Sequence, residues 1–187
     1  MDIQTTITQI RSALTDAFSA IDVWFDKAPD LRSYRPRSSG WTVNEILEHI
    51  GLTNHFLLIL IDKGTSKALL NSRGANLEIE LQNYAFQWEK LNEIGLHKSF
   101  AWVRPEHMEP KGARTSEEVR WQLKEQMRHC GATLDTLKNG QGVLFKTTMT
   151  VNELGKIDVY EYVYFLARHA QRHITQMQEN EAEFNEK

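Results

Sequence analysis

Apolar residues recur at three- and four-residue steps in four separate stretches, and three of these open with the same N-terminal signal. Ile3, Ile7, Ile10, Leu14, Phe18, Ile21 and Phe25 form one face of a helix of about 24 residues. The second stretch starts at Thr42 with Glu45 three residues on, a capping box, and Trp41 and Ile46 are placed as a hydrophobic staple. Its stripe is Val43, Ile46, Leu47, Ile50, Leu57, Leu60 and Ile61. Asp62 is its expected last residue, with Lys63-Gly64 as the stop. The third has Thr115 and Glu118 as its box, with Val119, Leu123, Met127, Leu134 and Leu137 facing inward and Gly140 and Gly142 closing it. The fourth has Asp158 and Glu161 as its box and Ile157 and Tyr162 as its staple. It is expected to run to about Met177, with the acidic tail QENEAEFNEK frayed. Stripes of this kind must bury against one another, so the expectation is an all-α four-helix bundle.

The connections are unequal. Pro29, Pro36 and Gly40 mark a loop after the first helix. Between the second and third helices the pattern is irregular. Leu81, Tyr84, Trp88 and Leu91 have helical spacing, which predicts a short helix over 76–93 against a weaker strand-like alternation at Leu77–Leu81. Then comes a loop over 95–114, carrying Phe100, Trp102, His107 and Met108, residues ill suited to open solvent. Residues 143–152 read as extended, yet one short strand is not stable alone. No repeat, low-complexity tract or inert linker divides the chain, so a single domain over 1–187 is expected.

Composition removes several function classes. Lys and Arg number 22 against 25 Asp and Glu, a formal charge of −3, which offers no electrostatic case for nucleic acid or an anionic membrane as main partner. The longest apolar run, Phe56–Ile61, is too short to span a bilayer. The N-terminal stretch lacks the basic start and apolar block of a signal peptide. A single cysteine, Cys130, excludes an intrachain disulfide and a cysteine-cluster metal site. A cytoplasmic protein is the expectation.

The sharpest local feature is His169-Ala-Gln-Arg-His173, two histidines one turn apart on one helix face. Such imidazoles converge on one divalent metal, as in HExxH helices, although the glutamate of that motif is absent. His173 falls inside the apolar stripe of Val163, Leu166, Ala170, Ile174 and Met177, with His169 on its flank. A metal site needs at least one more ligand. On the second helix His49 lies beside the inward stripe and His55 points nearly opposite, so phasing favours His49. His55 and His129 are expected at the surface, His97 at the surface of the loop, and His107 in the loop with a pocket position as the lesser alternative. Arg168 and Arg172 flank the pair, and either a solvated face or an anion-holding role fits them. Glu45 is assigned to the cap and Glu48 to orienting a ligand, with a backbone carbonyl as the competing acceptor. Tyr162 is assigned to staple packing and Cys130 to the core. The catalytic residues are not identifiable.

GWTVNEILEHI and LGKIDVYEYVYFLARHAQRHITQM resemble the DinB-like superfamily, which includes YfiT-type metal-dependent hydrolases and bacterial thiol transferases. The family pattern has a histidine closing a Trp-x7-His stretch, here Trp41 to His49, and a paired H-x3-H on the last helix, here His169 and His173. The resemblance covers nearly the whole chain. It implies an up-down-down-up bundle, one divalent ion per chain on three histidines (zinc or nickel first, iron or manganese next), and often a homodimer. It further implies a small-molecule substrate, with transfer of a low-molecular-weight thiol to an electrophile as the leading reaction. A metal-dependent hydrolase is the second reading. A non-catalytic metal-binding bundle or a protein-interaction module is the third. A water-accessible pocket at the histidines favours an enzyme, full coordination by protein groups a structural site, and an apolar patch without a pocket an interaction module.

Overall fold

A computed structural model describes residues 2–101 and 105–187. In chain order the elements are α1 (Ile3–Asp22), α2 (Pro29–Ser33), α3 (Val43–Asn71), α4 (Leu77–Gln82), α5 (Trp88–Ile94), α6 (Ser116–Thr136), β1 (Lys146–Met149), β2 (Gly155–Asp158) and α7 (Val159–Asn185). The four long helices α1, α3, α6 and α7 make an up-down-down-up bundle. α1 and α3 each pack against both α6 and α7. Ile10, Ile21, Ile46, Ile50, Ile61, Leu134 and Leu166 are fully buried between them, as the spacing predicts, whereas Leu60, expected in the second stripe, is exposed. All three capping boxes form, at Thr42, Thr115 and Asp158, each satisfying helix N–H groups that have no intrahelical partner.

Several boundaries differ from expectation, each for a packing reason. α3 does not stop at Gly64 but runs to Asn71. A Cβ on Gly64 would sit 3.0 Å from Val159 Cγ2, so this glycine permits a close helix approach rather than ending the helix. The helix expected over 76–93 is two short ones, α4 and α5, and α5 buries Leu91 and Ile94. The acidic tail stays helical to Asn185 because the chain before α3 ties it down. Asn180 Nδ2 donates to Trp41 O (2.8 Å), Lys27 pairs with Glu181 (2.6 Å) and the Tyr34 hydroxyl donates to Glu183 (2.5 Å). Of the segment expected to be extended at 143–152, only Lys146–Met149 is a strand, with Val143 and Leu144 in a 3-10 turn before it and Val151 and Asn152 in another after it. The strand has a partner, β1 and β2 forming an antiparallel hairpin with Thr147 opposite Ile157 and Met149 opposite Gly155. Its connection puts Asn152 and Glu153 at φ of 46° and 50°. Asn152 Nδ2 donates to Glu93 Oε2 (2.7 Å), which anchors the hairpin tip beside α5.

Among the described residues no helix is long and apolar enough to cross a membrane. Cys130 is fully buried, and burial pushes its thiol up to about 12, in keeping with a core position. Trp102, part of the aromatic loop noted above, lies outside the described residues.

The N-cap of α7 carries a pH-dependent cost. Asp158 is buried, and desolvation together with the Glu161 charge pushes its carboxyl up to about 7, while the Tyr84 hydroxyl and Lys146 pull the other way. A folded-state value above the unfolded one means the folded chain holds this proton more tightly. The stabilisation is complete below about pH 4 and is lost as pH rises through about 7. Asp158→Asn keeps the capping oxygen and removes the charge. Urea titrations are expected to show a flatter stability profile between pH 4 and 8, with the variant on the order of 1–2 kcal/mol more stable than wild type at pH 8. Parallel profiles would show that Asp158 titrates alike in both states.

Candidate metal centre

α3 and α7 run antiparallel as neighbours, which sets the N-terminal part of α3 against the second half of α7. His49, two turns into α3, thereby faces His169 and His173. One ring nitrogen from each falls within 4.8 Å of the others. Ring centroids are 4.5 Å apart for His169–His173, 4.9 Å for His49–His173 and 5.3 Å for His49–His169. All three side chains are buried. The Trp41 ring lies 4.7 Å from His49, and Phe165 stacks parallel to His169.

The hydrogen bonds settle which nitrogens face inward. His49 Nδ1 donates to Met108 O (2.7 Å), and His173 Nδ1 donates to Gln176 Oε1 (2.9 Å). Each ring then keeps its lone pair on Nε2. His169 Nε2 lies 3.1 Å from His173 Nε2, a spacing at which two nitrogens share a proton or a cation. Burial first, then the neighbouring imidazoles, holds His169 well below the ordinary histidine range, and burial followed by the His49 ring does the same to His173. Both are therefore neutral at pH 7. Three converging imidazoles, two of them with the outer nitrogen held on an oxygen acceptor, have the chemistry of a divalent-metal donor set. The cluster is able to chelate such an ion.

The donors open on a cavity of about 510 Å³. Its walls include Trp41, Thr53 and Leu57 from the α3 side and Phe165, Arg172 and Gln176 from α7. The 95–114 segment adds His97, Pro105 and Met108, and the hairpin adds Met149, Thr150 and Val151. Among the described lining residues there is no Asp or Glu. Three protein donors leave any tetrahedral or octahedral shell incomplete on the cavity side.

Of the residues singled out in the sequence, His49, His169 and His173 come together and His55 is exposed. His129 pairs with Asp62 (2.6 Å) away from the cluster. His107 is exposed and rests on Phe56, with ring centroids 4.2 Å apart. His97 departs from expectation: its side chain is 13% exposed and lines the cavity, because the 95–100 segment folds back on α7. Glu48 orients no imidazole. Its carboxylate accepts from Gly112 N (2.8 Å) and clamps the loop that brings in Met108. Tyr162 bonds Thr147 Oγ1 (2.8 Å) rather than the site, as befits a staple. Gln176, unremarked in the sequence, was legible as a polar residue one turn after His173. The Met108 carbonyl had no sequence signal.

His49→Ala, His169→Ala and His173→Ala are each expected to weaken zinc affinity at least about a hundredfold, and Gln176→Leu about tenfold through the His173 ring alone. His55→Ala should leave affinity unchanged. Competition with a chromogenic chelator measures all five, and loss in the His55 variant would contradict the helix phasing.

No curated protein and no solved structure matches the chain. A family profile described as the DinB superfamily matches residues 7–177, which spans all four bundle helices and the three histidines. The chain therefore belongs to the DinB superfamily.

Proposed function

We propose that the protein is a divalent-metal-dependent enzyme that transfers a low-molecular-weight thiol to an electrophilic carbon, with His49, His169 and His173 as the metal ligands. The observation that carries the metal-dependent part is the cluster of three buried histidines opening on a cavity of about 510 Å³. A divalent ion bound there supplies Lewis acidity, lowering the pKa of a coordinated thiol or water. The chain's own part is orientation and exclusion of water. Met108 O and Gln176 hold two of the rings. Trp41, Met149, Val151 and Phe165 give the electrophile an apolar wall. In the transfer the thiol would give its proton to solvent water, sulfur would form a bond to carbon, and the leaving atom would take the electron pair of the bond that breaks. The preference for a thiol over water rests on the family resemblance. Hydrolysis by the same site is the second reading, and the described lining residues, among which there is no Asp or Glu, favour neither. The same reading carries one zinc or nickel ion per chain, with iron or manganese next, and a single-domain cytoplasmic homodimer.

Elemental analysis of protein purified without an affinity tag or added metal is the first test. About one divalent ion per chain is expected, with thiol conjugation to a chloronitrobenzene that a chelator abolishes and the ion restores. Ester hydrolysis without thiol conjugation would select the hydrolase. Metal that stays substoichiometric after incubation with zinc, nickel, iron and manganese would sink the metalloenzyme.

A further inference from the structure

Holding His173 uses only half of the Gln176 side chain. Gln176 sits three residues after His173 on the same face of α7, half-buried, in the cavity wall. Its Oε1 accepts from His173 Nδ1 (2.9 Å), which holds the planar amide by one end. The nitrogen at the other end carries two hydrogens and can only donate. Nε2 donates to no described residue. Other amides of the bundle are used the opposite way, as donors to the protein. Asn180, one turn further along α7, gives Nδ2 to Trp41 O (2.8 Å), and Gln126 gives Nε2 to Gly51 O (2.8 Å) in the core. Those two tie one element to another. Gln176 ties no elements together: its partner is one turn back on its own helix, a contact that orients a ring and leaves a pair of N–H donors at the cavity wall.

A donor that the protein does not use for itself suits an acceptor brought by a ligand. The direction of the bond is not open, because an amide nitrogen has no lone pair to offer. Nor does a neutral amide call for a charged ligand. An uncharged oxygen, as in a carbonyl group, meets both conditions. Other walls of the cavity, Trp41, Met149, Val151 and Phe165, take an apolar body, and about 510 Å³ is in the range of small-molecule sites. We propose that Gln176 is a substrate-binding residue: Nε2 donates to a carbonyl oxygen of a small molecule whose apolar body lies against these walls, while Oε1 keeps hold of His173. That this carbonyl compound is the electrophile of the transfer rests on the proposed function; the hydrogen bond does not.

Gln176→Glu separates the two ends of the side chain, since a carboxylate still accepts from His173 Nδ1 and has no N–H to give. Gln176→Leu removes both ends. The probes are 4-phenylbutan-2-one and 2-methyl-4-phenylbut-1-ene, in which a methylene group replaces the carbonyl oxygen. Both are titrated into apo and zinc-loaded protein and followed by NMR. The affinity of the ketone relative to the alkene is expected to be about fivefold higher in wild type than in either variant. Zinc affinity should fall only in Gln176→Leu, because only there does His173 lose its acceptor. A ratio unchanged in Gln176→Glu overturns the proposal, and so does ketone binding to wild type weaker than about 10 mM. If the glutamate variant fails to fold, an unchanged ratio in Gln176→Leu overturns it as well. A ratio that appears only on zinc loading and ignores both substitutions would assign the oxygen to the ion, which also overturns it. Failure to load zinc defeats the metal reading alone, because the ratios measured on the apo protein still decide the role of Gln176.

Discussion

Three imidazoles packed into the seam between α3 and α7 cannot all be charged. Burial opposes protonation of His169 and His173, and the His49 ring beside them opposes it again. The three rings bring nitrogens together around one point, an arrangement that dispersion does not favour and an apolar core would avoid. The remedy is a cation at that point. The surrounding groups are organised to the same end: the outer nitrogens of His49 and His173 donate to oxygen acceptors, which fixes both tautomers in the metal-binding form. The antiparallel α3–α7 pairing, the Trp41 contact and the unbroken run of α7 through Asn180 all serve to keep this seam in register.

The long crossover between α3 and α6 is part of the site rather than a tether. Gly112 N on Glu48 and Met108 O on His49 clamp it to the start of α3, and Leu96 O on Arg172 clamps it to the middle of α7. A connection that spans the bundle this way holds one helix against the other over the cavity mouth. The hairpin closes the opposite side through Met149, Thr150 and Val151, and its tip is tied to α5 by Asn152 and Glu93. The bundle supplies the donors, and the irregular segments supply the walls.

What was legible in the sequence follows this division. The stripes and capping boxes are local signals, so the four long helices and the convergence of His49 with the His169–His173 pair could be read from periodicity alone. Gly64 misled because local propensity reads it as a stop, while its role is contact with Val159 across the helix interface. The hairpin was half visible because β2 is four residues long and merges with the Asp158 cap. The tail looked frayed because its partners, Lys27, Tyr34 and Trp41, are distant in sequence. His97 and the Met108 carbonyl belong to the same class: their positions depend on where an irregular segment folds back, which no periodicity encodes.

Whether such a centre is structural or chemical turns on what completes it. A structural site gathers four protein ligands and excludes solvent, because every open position costs rigidity. Here three rings cluster among the described residues, and the side away from their oxygen acceptors is a cavity rather than a fourth donor. That cavity has mixed chemistry, with an apolar wall from Phe165, Met149 and Val151 and an arginine pinned at its edge. An apolar patch alone would suit a partner protein, and a closed donor set would suit a staple. A concave space joining three histidines able to chelate a divalent ion, an arginine and an apolar wall is suited to hold and polarise a small molecule, as a metal-dependent enzyme requires.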